Sequence, residues 1–268
     1  STINALRVLL TESPASEHEK YSPESVLAYA RAASYKIYWI SNQDDVYLSS
    51  LFGSYTDKAI YKNRRSGRSS SSLDENLLSD YQQALADPEP KKLIILHLIG
   101  AHPNYQERYP AAFNRFTSAS NDAVETDLKN RDIDPWIRSL RNDYDNALLY
   151  EDWLLAKFLD ELQADHVPDF RSFMVVSDHG NEVGHEIDYA GHSPNTKAGY
   201  QVPVIMWYDH IPSTGVDKTR TLNTAELDNN LMHIMGLKEK SAPKRTYWLD
   251  DNYQFSPEEN WPYWKHKS

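Results

Sequence analysis

Four short segments of the chain are apolar almost throughout, instead of alternating between apolar and polar positions. Each is rich in β-branched, aromatic or long aliphatic side chains, and the segments are residues 35–40, 93–98, 173–177 and 202–208. A strand that is buried on both faces has this pattern, which is typical of a parallel sheet covered by helices. We therefore predict that the four segments form strands of one mainly parallel central sheet.

Apolar residues three, four or seven positions apart predict the helices that cover this sheet. The clearest run begins at Trp136 and ends at Leu162, which predicts one long amphipathic helix. A shorter run with the same spacing, from Ile3 to Leu10, directly follows Thr2 and predicts a helix that begins there. The alternation of strands and helices predicts an α/β fold, with the sheet sandwiched between helices.

No feature of the sequence divides the chain into two domains. We find no internal repeat and no linker, so we predict a single domain over residues 1–268. The longest apolar run, residues 93–101, is interrupted by His97. It is far shorter than the roughly 20 apolar residues that a membrane helix needs.

The chain is acidic, with 28 Lys and Arg against 39 Asp and Glu and a formal net charge of −11. Without a basic stripe, this balance argues against nucleic acid as a partner. The chain contains no Cys, which excludes disulfides, thiolate zinc ligands and a cysteine nucleophile. The candidate chemistry is therefore sought among His, Asp and hydroxyl side chains.

The strongest local signal is Ser177-Asp178-His179-Gly180, at the end of the apolar segment 173–177. A carboxylate and an imidazole at the carboxyl end of a strand can both reach one metal ion, and the pair suits zinc or manganese. Such a pair also occurs in ordinary turns, where the Asp accepts hydrogen bonds from backbone amides. The dipeptide alone leaves both interpretations open.

Two further histidines stand beside Gly or Pro near other predicted strands. His102 follows the segment 93–98, and His192 lies between Asp178-His179 and the segment 202–208. Loops at the carboxyl ends of parallel strands meet at one edge of the sheet, so we expect both histidines to converge on Asp178 and His179. The alternative is that they are ordinary loop histidines.

Several ordered motifs make the chain similar to a known family. They are YKIYWISNQ (35–43), LIILHLIGAHPNYQERYP (93–110), NDYDNALLYEDWLL (142–155) and VVSDHGNEVGHEIDYAGHSPNTKAGYQVPVIMW (175–207). These segments resemble the soluble catalytic domain of bacterial phosphoethanolamine transferases, which belong to the alkaline phosphatase and sulfatase superfamily. The resemblance implies an alkaline phosphatase/sulfatase-like fold.

The resemblance also implies an enzyme of the bacterial inner membrane, with this domain facing the periplasm. It would transfer phosphoethanolamine from phosphatidylethanolamine to the lipopolysaccharide core or another envelope glycan. Thr2 matches the family's nucleophile, which carries the phosphoethanolamine covalently. The matching metal ligands are Thr2, Asp178 and His179, for one or two zinc ions, with manganese as the alternative. The matching substrate-binding positions are His102, His192 and Asn42, of which the two histidines match residues that hold substrate phosphate or a second zinc.

General chemistry is compatible with Thr2 as a nucleophile. A Thr hydroxyl is a weak nucleophile at neutral pH and is activated when a bound metal lowers the pKa of its oxygen. The N-terminus of a helix offers free N–H groups and the positive end of a dipole to a phosphate. The alternative is that Thr2 only caps its helix.

The chain departs from the family pattern in three ways. The family's first metal ligand, a Glu, lies upstream of the nucleophile, so we expect an N-terminal strand and a membrane region outside residues 1–268. Asn181 stands where many relatives have Glu, and Glu182 follows it. The lipid A branch usually has disulfides, so the absence of Cys favours the branch that modifies core heptose or periplasmic glucans.

Two other functions remain open on the sequence. One is a hydrolase of the same superfamily, a phosphodiesterase or sulfatase that releases its group to water. Neither Ser13-Pro14 nor Ser22-Pro23 fits the usual sulfatase motif C/S-x-P-x-R, and the chain has no Cys for the cysteine form of that motif. The other is a non-catalytic binding module that kept the same fold.

Overall fold

The computed structural model describes residues 2–11, 25–43, 46–63, 70–164, 170–209, 218–237 and 247–255. The strands in these residues are β1 (Lys36–Ser41), β2 (Lys58–Tyr61), β3 (Lys92–His97), β4 (Ser172–Val176), β5 (Glu182–Val183), β6 (Ala190–Gly191) and β7 (Val204–Tyr208). The α-helices are α1 (Thr2–Leu10), α2 (Val26–Ala32), α3 (Val46–Phe52), α4 (Leu78–Leu85), α5 (Ala123–Asn130), α6 (Pro135–Ala164) and α7 (Leu227–Ile234). The four predicted strands and the long helix are present, within two residues of the expected bounds.

Three strands form a parallel sheet in the order β2, β1, β3. At its centre, Ile40 of β1 lies between Ile60 of β2 and Leu96 of β3. Every residue of β1 after Lys36 is buried, whereas all six residues of β3 are half-buried. The central strand therefore has the two-sided burial that its apolar sequence predicts.

The other two predicted strands form a separate, antiparallel sheet. Met174 of β4 lies opposite Met206 of β7, and no hydrogen-bond ladder joins β3 to β4 within the described ranges. The expectation that residues 35–40, 93–98, 173–177 and 202–208 share one mainly parallel sheet is thus wrong for the last two segments. An apolar run shows that both faces of a strand are covered, but it does not encode which strand pairs with it or in which direction.

Both sheets nevertheless contribute to the same two hydrophobic clusters. Trp39 of β1 and Val176 of β4 belong to the first cluster, and Ile40 of β1 and Phe173 of β4 belong to the second. Helices α1, α2 and α7 pack in the first cluster, and helices α4 and α6 pack in the second. The sheets therefore form one layer between two layers of helices, as the α/β prediction requires.

Helix α6 spans 30 residues and anchors the second cluster. Tyr150, Leu154 and Phe158 follow one another at intervals of four, so they lie on one face, and all three are fully buried. Asp152 and Lys157, in the same stretch of the helix, are exposed. Among the described residues, no helix combines the length and the apolar character required to cross a membrane.

Candidate functional site

The parallel pairing of β1 and β3 brings their carboxyl ends to one edge of the layer. Ser41 is the register partner of His97, and Asn42 N donates a hydrogen bond to His97 O at 2.9 Å. The polar loop after β1 and the loop with His102 after β3 therefore begin side by side. This is the convergence that the sequence predicts for parallel strands.

Asp178 and His179 lie in a tight turn after β4. His179 N donates to Asp178 Oδ1 at 2.9 Å, and Ser177 Oγ donates to His179 O at 2.8 Å. The side chains also lie close together, with 3.4 Å between His179 Nε2 and Asp178 Oδ2. The Asp therefore accepts a backbone hydrogen bond and still presents an oxygen beside the imidazole, so the two interpretations of this dipeptide are compatible.

Two glycines allow the His192 loop to approach this turn. A Cβ atom on Gly180 would lie 2.0 Å from Ala198 O, and one on Gly199 would lie 1.9 Å from Ser193 O. Gly180 N donates to Gly199 O at 3.1 Å across the same contact. Only residues without a side chain fit at these two positions, because any larger residue would displace the facing backbone.

His179 and His192 meet as a result of this close approach. Their ring centroids are 4.2 Å apart, and the rings are inclined by 42°. Partial loss of hydration, followed by the proximity of His179, lowers the pKa of His192 from its ordinary value. A lowered pKa favours the neutral imidazole, which is the form that binds a metal.

The ring of His179 lies between a carbonyl group and a carboxylate. His179 Nδ1 lies 3.1 Å from Gly180 O, and His179 Nε2 lies 3.4 Å from Asp178 Oδ2. Either ring nitrogen can donate a hydrogen bond when it carries a proton, and Nε2 can bind a metal when it does not. Histidine ligands of metals are commonly oriented by a carbonyl in this way.

His102 is linked to the turn after β4 through its neighbour in the chain. Asn181 Nδ2 donates to Ala101 O at 3.1 Å, which joins the two loops. His102 N donates to Gly100 O at 2.9 Å, and His102 Nδ1 lies 3.2 Å from Pro103 O. The structure thus brings Asp178, His179 and His192 together and ties the His102 loop to them.

Asn42 is positioned differently from the other predicted substrate-binding residues. It is fully buried, Asn42 Nδ2 donates to Asp74 Oδ1 at 2.8 Å, and Asn42 Oδ1 accepts from Ser72 Oγ at 2.7 Å. These contacts place its side chain beneath the edge of the sheet rather than on its surface. The predicted contact of Asn42 with substrate gains no support from this geometry.

Asp74 and Asn181 contribute to the site but were not identified from the sequence. Asp74 lies in a polar stretch of the sequence, and Asn181 stands out there only as a departure from a family pattern. The glycine before Asn181 is the local signal, because a glycine at a strand end indicates a tight turn. Asp74 accepts hydrogen bonds from Ile99 N and Gly100 N, which are 25 and 26 positions further along the chain, so no local sequence pattern predicts these contacts.

The site has some of the donor atoms that a metal ion would require. Asp178 offers an oxygen, His179 and His192 offer nitrogens, and these are suitable ligand types for zinc. Asn181 Oδ1 is buried with no hydrogen-bond partner in the described part of the chain. Within those residues, however, no group of three or more His, Asp or Glu side chains has a metal-binding arrangement. The set Thr2, Asp178 and His179 thus stays a prediction.

Thr2 begins helix α1, as the sequence predicts. Leu9 and Leu10 at the other end of this helix are buried in the first hydrophobic cluster, which also contains Val176 from β4. Helix α1 therefore packs on the same face of the sheet layer as Val176, which lies two residues before Asp178 in the chain. The role of Thr2 as a nucleophile remains a prediction.

Comparisons with known proteins agree with the fold and with the motifs. The sequence profile of the sulfatase family matches residues 1–237. Phosphoethanolamine transferase EptC of Escherichia coli is 31% identical over 251 residues, covering 88% of this chain and 42% of that protein. Phosphoethanolamine transferase CptA of Salmonella typhimurium is 30% identical over 251 residues, with the same two coverages of 88% and 42%. The chain spans less than half the length of these relatives.

A solved structure shares the fold. The C-terminal periplasmic domain of Escherichia coli EptC, crystallised in complex with Zn, has a TM-score of 0.79 and 27% identity, covering 96% of this chain and 74% of that one. The similarity confirms the predicted alkaline phosphatase/sulfatase-like α/β fold and the resemblance to phosphoethanolamine transferases. Because the family profile matches most of its length, this chain belongs to the sulfatase family.

Proposed function

We propose that this chain is the catalytic domain of a phosphoethanolamine transferase. The observation that carries the proposal is the cluster of Asp178, His179 and His192 at the carboxyl end of β4, in a chain similar to EptC. The donor would be phosphatidylethanolamine, and the acceptor would be the lipopolysaccharide core or another envelope glycan. The absence of Cys supports this acceptor class over lipid A.

We propose that the site binds one or two zinc ions, with manganese as the alternative. Thr2, Asp178 and His179 would be ligands, and the carboxylate of Asp178 lies 3.4 Å from His179 Nε2. The zinc complex of the EptC domain supports the choice of metal. A bound zinc ion would supply positive charge that lowers the pKa of a nearby hydroxyl and stabilises charge on a phosphoryl group.

The transfer would take place in two displacements. Thr2 Oγ1 attacks the phosphorus atom and gives up its proton to solvent, while the bond to the diacylglycerol oxygen breaks and diacylglycerol leaves with a proton from solvent. A hydroxyl group of the acceptor then attacks the same phosphorus atom and gives up its proton, while the bond to Thr2 Oγ1 breaks and the Thr2 hydroxyl takes up a proton again. His102 and His192 would bind the phosphoryl oxygens, and the N–H groups at the start of α1 would face the same charge.

We further propose that the catalytic domain includes a strand outside residues 1–268. β3 is paired only with β1 and β4 only with β7 in the described residues, yet β3 and β4 contribute to the same two clusters. An apolar strand between them would join the two sheets and cover the half-buried residues of β3. The whole enzyme would be anchored in the bacterial inner membrane by a further region, with this domain in the periplasm.

Thr2→Ala tests the function directly. In the full-length enzyme, we expect transfer from headgroup-labelled phosphatidylethanolamine to fall to background, and mass spectrometry to find no phosphoethanolamine on the peptide that contains residue 2. Thr126→Ala is the matched control, because Thr126 is an exposed Thr on α5. Undiminished transfer by Thr2→Ala would rule out the two-step mechanism.

The same assay distinguishes the hydrolase, which the match to the sulfatase family keeps as a second candidate. A transferase needs an acceptor and yields a modified glycan and diacylglycerol. A hydrolase releases free phosphoethanolamine at the same rate whether or not acceptor is present. Such release would replace transfer with hydrolysis as the function of this site.

A further inference from the structure

Two buried carboxyl groups lie beneath the candidate site. Asp74 opens a 3-10 turn (Asp74–Leu77) and is 3% exposed, and Glu151 lies on helix α6 and is 7% exposed. The two side chains lie close enough for the charge of Asp74 to raise the pKa of Glu151. Carboxyl groups are almost never buried without a specific compensating interaction, so this pair requires an explanation.

Asp74 accepts hydrogen bonds from three groups at the carboxyl ends of β1 and β3. Its Oδ1 accepts from Asn42 Nδ2 at 2.8 Å and from Ile99 N at 2.9 Å, and its Oδ2 accepts from Gly100 N at 2.8 Å. The backbone turn continues directly from there, since Gly100 O accepts from His102 N at 2.9 Å. One carboxylate therefore holds the start of the loop that carries His102.

Glu151 supports Asp74 from the side of helix α6. Burial, followed by the negative charge of Asp74, raises the pKa of Glu151 well above its usual range. A protonated Glu151 can donate its O–H to Asp74, which removes the repulsion between two adjacent carboxylates. Tyr150 and Leu154 on either side of Glu151 are fully buried, so packing of helix α6 fixes the position of the Glu151 side chain.

Arg108 provides the balancing positive charge. It is 2% exposed, its Nη2 donates to Ser70 O at 2.7 Å, and it lies close enough to Asp74 for the carboxylate to oppose the lowering of its pKa by burial. A buried anion near a buried cation is far less costly than either group alone. The guanidinium of Arg108 therefore reduces the cost of burying the Asp74 side chain.

We propose that Asp74, with Glu151 as its hydrogen-bond donor, is a positioning residue that sets the loop from Ile99 to His102 against the turn at Asp178 and His179. The inference rests on the proposed function, because it assigns His102 a place in that site. The contact of Asn181 Nδ2 with Ala101 O gives the path from the positioned loop to the turn. Asp74 itself is buried and touches no substrate.

The first test compares Asp74→Asn with Asp80→Asn in the full-length enzyme. Asn at position 74 keeps the size of the side chain but replaces one of its two acceptor oxygens by a donor. We expect kcat for transfer to fall about 10- to 100-fold, the range found for residues that orient catalytic groups, with KM for the donor nearly unchanged. Asp80 lies on the neighbouring helix α4 and pairs with Lys62, so the same substitution there should leave kcat unchanged.

The second test uses Glu151→Gln and Glu151→Leu, with the NMR signals of the Gly100 amide and the His102 ring as the readout. Gln is neutral and offers an N–H donor, as the protonated Glu does, whereas Leu has a similar volume and no donor. We expect Gln to retain both signals close to their wild-type positions and Leu to shift them.

The outcomes separate this inference from the proposed function. Wild-type kcat in Asp74→Asn, or equal shifts in the two Glu151 variants, would overturn the inference. If the wild-type enzyme shows no transfer, the proposed function fails, and the Gly100 and His102 signals still decide whether Asp74 positions the loop. If Asp74→Asn does not fold, the two Glu151 variants decide.

Discussion

The residues beneath the candidate site and those at its surface are held in different ways. Asp74 and Asn42 are buried, and each makes several hydrogen bonds to other parts of the fold. His179 is half-buried and His192 is exposed, and their ring centroids lie 4.2 Å apart beside Asp178. In the lower region, Asp74 and Asn42 fix backbone positions through hydrogen bonds within the fold. In the upper region, His179 and His192 keep donor atoms available for a ligand.

At this edge of the sheet, the residues that stabilise the fold differ from those that are available for chemistry. Buried polar groups without partners would destabilise the fold, so Asp74 and Asn42 need their partners even in the absence of a ligand. Polar groups at the surface are solvated and can exchange water for a metal or a phosphate at little cost. Changes at His179 and His192 should therefore impair function with little effect on folding, and truncations in the apolar core around helix α6 should do the reverse.

The largest effect is expected from His179→Ala in the upper region. Because His179 is a proposed metal ligand, its loss should reduce zinc affinity by more than the roughly 10- to 100-fold typical of residues that only orient ligands, and transfer should fall to background. The free energy of unfolding without zinc should change by no more than about 0.5 kcal/mol, as for other accessible sites. Zinc titration calorimetry and urea unfolding measure the two quantities.

His233→Ala is the control, because His233 lies on α7 and stacks on Tyr247. It should keep the zinc affinity of the wild type. Equal losses of zinc affinity in the two variants would contradict the separation of the two regions.

Leu154→Ala should have the opposite profile. Leu154 is fully buried in the second cluster, so its truncation should lower the free energy of unfolding by about 2 to 5 kcal/mol. The activity per folded molecule should be retained. Leu148→Ala on the same helix is the matched control: Leu148 is 43% exposed, and its truncation should cost no more than about 0.5 kcal/mol. Similar costs for both would show that the second cluster is not the core.

Gly180→Ala should lower both the stability of the fold and the zinc affinity of the site, because Gly180 lies where the turn after β4 meets the backbone of the His192 loop. A Cβ atom there would be 2.0 Å from Ala198 O, so the backbone of one loop must move. We expect a loss of about 1 to 3 kcal/mol in stability, together with weaker zinc binding, since the movement separates His192 from His179. Gly53→Ala is the control, because its Cβ would be 3.6 Å from Ser49 Oγ, an ordinary contact. A Gly180→Ala protein with wild-type zinc affinity would refute the coupling.

The smallest effect is a pH dependence that originates in the lower region. The pKa of Glu151 is raised by burial and by Asp74, so between pH 4.5 and its folded pKa the folded protein binds more protons than the unfolded chain. The contribution of Glu151 to stability is therefore present at low pH and declines as pH rises through this window. Glu151→Gln should remove this decline.

Urea unfolding of the wild type and Glu151→Gln at several pH values from about 5 to 8 measures the effect. Glu161→Gln on the same helix is the control, since Glu161 Oε1 accepts from Gln82 Nε2 at the surface. It should leave the pH profile unchanged. An identical decline in wild type and Glu151→Gln would show that Glu151 is ionised in the folded protein.

Local patterns predicted the elements and part of the site. The apolar runs located β1, β3, β4 and β7, and the helical spacing located α6, because burial on two faces or on one helical face depends on neighbours in sequence. The glycine after Asp178-His179 indicated the tight turn. The buried position of Asn42 was not predicted, since its partners Asp74 and Ser72 are brought to it by the fold.

The sequence by itself determined the fold class, the family and the residue types available for chemistry. Tertiary structure decided that β4 pairs antiparallel with β7, that His179 meets His192, and that Asp74 holds the backbone before His102. The physical reason is the range of the interactions. Periodicity and turn chemistry act over a few residues, whereas strand pairing and buried hydrogen bonds join positions that only the packed chain brings into contact.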